Sequence, residues 1–96
     1  MASSQKVLAP YFDWNHAWKV DPQVALRDEE FGALAYHYGT RRLVFLKSRT
    51  LVDLVRSLSD HDSATEALRA TVEPDEIGRY EAALARLATS EVVCER

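Results

Sequence analysis

The chain reads as an α+β domain: a three-stranded antiparallel sheet followed by three helices. Three observations predict this. Phe31 to Lys47 (FGALAYHYGTRRLVFLK) holds two apolar, aromatic and β-branched runs on either side of Gly39-Thr40, the pattern of a hairpin with a type II′ turn. Three stretches with helical periodicity follow, opened in turn by Ser48, Ser63 and Pro74. The three main strand-like segments precede the three main helical ones, which puts the helices on one face of a small sheet.

Taken in order, residues 1–12 are polar, then mixed around Pro10, and read as a flexible N-terminal arm ahead of a domain over 13–94. Asp13 to Val20 reads as a short helical turn or an irregular lead-in. In a helical turn Trp14 and Trp18, four apart, share a face and cover one end of the core. Pro22 ends any helix there. Val24 to Arg27 is the first strand, and Asp28-Glu29-Glu30 is a solvated bend.

With Gly39 and Thr40 in the loop, Tyr38 pairs with Arg41, Tyr36 faces Leu43 and Leu34 faces Phe45. One sheet face then carries Leu34, Tyr36, Leu43 and Phe45. The other carries Ala33, Ala35, His37, Arg42, Val44 and Leu46. The bulkier face is expected to cover the core, because a slip of one residue would move all of it into solvent.

Ser48 caps the first helix, with Leu51, Leu54, Val55 and Leu58 at helical spacing. Asp60-His61-Asp62 is a turn. Ser63 to Glu66 is a capping box that opens the second helix, with Ala67 and Leu68 inward. Pro74 suits a first helical turn, and Ile77, Tyr80, Leu84, Leu87 and Ala88 form the stripe of the third helix. Val92-Val93 adds a short extended tail.

Composition narrows the function classes. The chain has 96 residues, 47% hydrophobic and 28% charged, the balance of a folded globular domain. Twelve basic against 15 acidic side chains give a formal net charge of −3, the wrong sign for a general nucleic-acid binder. A single Cys, Cys94, excludes a disulfide framework within one chain and suits a reducing cytoplasm. The N-terminal segment lacks the apolar core of a signal peptide, and no apolar run is long enough for a membrane span.

No catalytic or metal-binding set is visible. His16, His37 and His61 are scattered without ligand spacing, Cys94 stands alone, and the chain has no glycine-rich phosphate loop. Neighbouring side chains in the Asp60-His61-Asp62 turn point different ways, so they do not form a relay. The sequence calls for no cofactor, metal or enzymatic activity.

The outer strand of the hairpin is different. Arg42, Leu43, Val44, Phe45 and Leu46 form a sheet edge with unpaired backbone groups, and Arg41, Arg42 and Lys47 bracket its uncharged middle. Such an edge is covered by the third helix or a dimer partner, or it takes an extended peptide as a further strand.

His16-Ala-Trp18, Pro22-x-Val24-x-Leu-Arg27, Phe31-Gly-Ala-Leu34, Tyr36 and Thr40-Arg-Arg-Leu43-x-Phe-Leu-Lys47 together resemble the mycofactocin biosynthesis chaperones, the MftB family, over about residues 13–94. That family is similar to the PqqD-like recognition elements of ribosomal peptide maturation. The resemblance implies a winged helix–turn–helix fold and a non-catalytic role. It implies binding of the leader of a precursor peptide, and presentation of that peptide to a radical S-adenosylmethionine (SAM) maturase acting on a C-terminal Val-Tyr. It further implies that the leader adds to the strand Arg42 to Leu46, in a cleft closed by the third helix. Arg79, Tyr80, Ala83, Leu84 and Leu87 are the helix residues on offer.

Two other readings stand beside it. A winged-helix DNA-binding regulator needs a basic recognition helix, whereas the third helix sets Asp75, Glu76 and Glu81 against Arg79 and Arg86. A structural homodimer would pair the exposed strand with its own copy. Arg41 and Arg42 are also placed to attract acidic leader residues.

Overall fold

The structure, a computed structural model, describes residues 12–96. Of the arm expected over 1–12, residues 1–11 lie outside the described residues. Phe12 is buried, its ring stacked on Trp18 at 4.1 Å.

The described chain is α+β, with five short strands in two sheets where the sequence suggested three strands in one. Strand β1 (Trp18–Val20) pairs antiparallel with β5 (Val93–Glu95), and β2 (Val24–Glu29), β3 (Gly32–His37) and β4 (Leu43–Leu46) form the second sheet in that order. Helices α1 (Arg49–Ser57), α2 (Ala64–Thr71) and α3 (Ile77–Thr89) lie between β4 and β5 in sequence. Of the two readings for Asp13 to Val20, the irregular lead-in is the one found, a turn followed by β1 with no helix through Trp14 and Trp18. Trp18 is buried in that strand, and its indole N–H donates to the Asp13 carbonyl at 2.8 Å.

The hairpin register is as read, with Tyr36 opposite Leu43 and Leu34 opposite Phe45. Its turn is not the two-residue type II′. The loop runs from Tyr38 to Arg41, and the left-handed residue is Arg41 (φ 66°), not Gly39. His37 organises this loop. Its Nδ1 accepts the backbone N–H groups of Gly39 (3.0 Å) and Thr40 (3.1 Å), which fixes the proton of the neutral ring on Nε2. The first strand also extends to Glu29, so Asp28 and Glu29 lie within β2 rather than in a bend.

The two faces of the hairpin are reversed from the expectation. Ala33, Ala35, His37 and Leu46 are buried, while Leu43 and Phe45 are 60% and 55% exposed. Side-chain size explains the reversal. Small Ala33 and Ala35 let α1 lie close on β3, and the bulk of the core comes from Val52, Leu54, Val55, Leu58, Leu68 and Leu84 on the helical side. The expected caps are present: Ser48 Oγ accepts from Leu51 N–H at 2.9 Å, and Ser63 Oγ from Glu66 N–H at 3.1 Å. At the end of α3, Glu91 (φ 64°) takes the left-handed position of a Schellman turn, closed by Val92 N–H to the Leu87 carbonyl and Glu91 N–H to the Ala88 carbonyl.

Candidate functional site

Strand β4 pairs only with β3 among the described residues, so one side of it is an open edge. His37 N–H donates to the Arg42 carbonyl at 3.0 Å, which makes His37 and Arg42 a hydrogen-bonded pair. Alternation in an antiparallel ladder then makes Ala35–Val44 and Ala33–Leu46 bonded pairs as well. The N–H and C=O groups of Leu43 and Phe45 therefore point away from β3, toward the open side.

Beside this edge lies a groove of about 220 Å³ between β4, the start of α1 and one face of α3. Phe45, Lys47, Ser48 and Leu51 line one wall, and Arg79, Tyr80, Ala83 and Arg86 line the other. Tyr80 is buried, and its hydroxyl lies 3.3 Å from Ser48 Oγ, tying α3 to the cap of α1. The Arg79 guanidinium sits 5.3 Å from the centre of the Tyr80 ring, within cation–π range. Phe31 and Phe45, both exposed, meet at 5.8 Å beside the edge.

The structure sorts the candidate residues. Phe45, Arg79, Tyr80 and Ala83 line the groove. Leu43 is exposed on the edge strand, and Arg42 is exposed just before it. Val44 and Leu46 face the helices, Leu46 with no exposure at all. Leu84 and Leu87, offered as groove residues, are instead core. They follow Ala83 around the helix onto its inner side. Lys47, Ser48, Leu51 and Arg86 complete the groove without having been assigned to it. The sequence held one signal for Arg86: it follows Arg79 by seven and Ala83 by three, on one helical stripe.

A larger cavity of about 430 Å³ lies near Trp18, Asp21, His37, Glu91 and Cys94. Burial first, and Asp21 second, push the Cys94 thiol up from its ordinary pKa, so it is a poor nucleophile near neutral pH. His37 Nδ1 is already committed to the hairpin loop. No three His, Cys, Asp or Glu side chains among the described residues converge on a metal-binding geometry. The groove and the open edge together offer backbone hydrogen bonds, apolar contact and positive charge, which are means of binding rather than of bond making.

Comparison with known proteins agrees with this chemistry. A family model described as the peptide chaperone MftB family matches residues 17–94. The chain belongs to that family. A peptide chaperone MftB from Mycobacterium ulcerans is 48% identical over 83 residues, covering 85% of this chain and 76% of the relative. One from Mycolicibacterium smegmatis is also 48% identical over 83 residues, covering 85% and 81%. One from Mycobacterium tuberculosis is 41% identical over 96 residues, covering 99% and 88%. No solved structure matches. Members of the MftB family are named as peptide chaperones, a non-catalytic role, so the chain is not an enzyme. No helix among the described residues is long and apolar enough to cross a membrane.

Proposed function

We propose that this chain is a cytoplasmic peptide chaperone of mycofactocin biosynthesis, which binds the leader of a precursor peptide and presents it to a radical SAM maturase. The leader adds as a further antiparallel or parallel strand on β4, and alternate side chains enter the groove against α3. The observation that carries this reading is the edge itself. The backbone groups of Leu43 and Phe45 point outward beside a groove that holds both apolar and charged side chains. Membership of the peptide chaperone MftB family supplies the class of occupant.

Ordering a disordered peptide costs several kcal/mol, on the order of 2–5, so backbone bonds alone give weak binding. Phe45, Leu51 and Ala83 provide the apolar contacts that offset this cost.

Titration calorimetry with two synthetic halves of the precursor tests the reading. The leader half binds saturably at one site per chain, and the C-terminal half that the maturase modifies gives no heat of binding. Tight binding of the C-terminal half, with none of the leader, contradicts it.

A further inference from the structure

Three of the eight side chains lining the groove are cationic, Lys47, Arg79 and Arg86, and none is acidic. This stands out in a chain whose formal net charge is −3. None of the three forms an ion pair among the described residues, whereas Arg27, Arg49 and Arg56 each pair with Asp28 or Glu29. On α3, Arg79, Ala83 and Arg86 fall on one stripe, and Glu81 lies about 200° around the helix from Arg79, away from the groove. Arg41 and Arg42, the sequence's candidates for attracting acid, are exposed but do not line the groove.

We infer that the segment seated in this groove is acidic, with Asp or Glu at positions an even number of residues apart. The inference rests on the strand-addition reading above. An added strand points every second side chain to the same side, so the positions facing α3 recur with period two. A carboxylate there meets Lys47, Arg79 or Arg86, while an apolar residue in the same row meets Leu51 and Ala83. Arginine suits such a site, because its planar fork binds a carboxylate through two parallel hydrogen bonds. The three cations form no ion pair among the described residues, so the peptide gains ion pairs without breaking one there.

Affinity measurements on the full chain test this, using the synthetic leader and a second form in which every Asp and Glu is changed to Asn and Gln. Arg79→Gln and Arg86→Gln each lower affinity for the native leader by about fivefold at low salt, the upper range for a partly exposed pair. Both changes have little effect on the neutralised leader. Arg69→Gln, the same loss of charge on an exposed part of α2, leaves both affinities unchanged. Raising salt weakens the native leader and hardly affects the neutralised one. A leader without acidic residues, or equal binding of the two forms, overturns the inference. If the two forms bind equally but still compete at β4, only the charge assignment fails; if neither binds, strand addition fails with it.

Discussion

Phe45→Pro lowers affinity for the leader by about 10- to 100-fold relative to Phe45→Ala, the loss expected when a buried backbone acceptor is left without its donor. The alanine variant removes the same ring but keeps the N–H, so the difference isolates the backbone. Phe45 lies on the edge strand with its N–H directed outward, a position where proline leaves the native ladder intact. Val44→Pro is the contrasting case. Its N–H faces Ala35, so proline there breaks the bond to β3 and costs about 2–3 kcal/mol of stability. Urea unfolding distinguishes the two variants, and calorimetry on folded Phe45→Pro reports binding. Unchanged affinity in folded Phe45→Pro contradicts a strand added at this edge.

Gly32→Ala destabilises the fold by about 3–5 kcal/mol, enough to lower the melting temperature by roughly 20 °C in a chain of this size. Two features of the same residue cause this. Its φ is 148°, a conformation that side-chain-bearing residues rarely adopt, and an added Cβ would lie 2.0 Å from the Leu46 carbonyl oxygen and 3.0 Å from the Ser48 nitrogen. The backbone there cannot yield locally, since Leu46 ends β4 and Ser48 caps α1. Arg49 strengthens the junction by donating to the Gly32 carbonyl at 3.2 Å. Gly32 thus holds the junction from which both Phe45 and the Lys47–Ser48 wall of the groove extend. Thermal unfolding followed by circular dichroism measures the loss, and a melting temperature within a few degrees of the unsubstituted chain contradicts this account.

Local chemistry was the legible part of the fold. Ser48 and Ser63 act within one helical turn, and the pairing of Leu34 with Phe45 follows from alternation near a tight turn, so neither depends on distant residues. The pairing of Trp18 with Glu95 joins opposite ends of the described chain, and no short pattern announces it. Bulk is a poor guide to the interior face of this hairpin, where the small residues are buried and the large ones exposed. The space beneath the sheet is filled by helical leucines and valines, which leaves room only for alanine at 33 and 35. The edge strand was recognisable as an uncharged run between cations. The far wall of the groove was not, because the rotation of α3 decides whether Arg86 or Leu87 faces β4, and both lie on a plausible stripe.

Amide hydrogen exchange at Leu43 and Phe45, with and without saturating leader peptide, tests strand addition most directly. In the free protein these two N–H groups are open to solvent and exchange fast, while those of Val44 and Leu46 are held by β3. Saturation with leader is predicted to slow exchange at Leu43 and Phe45 by tenfold or more, as on burial in a new ladder. Saturable binding that leaves both amides exchanging as fast as before would contradict it.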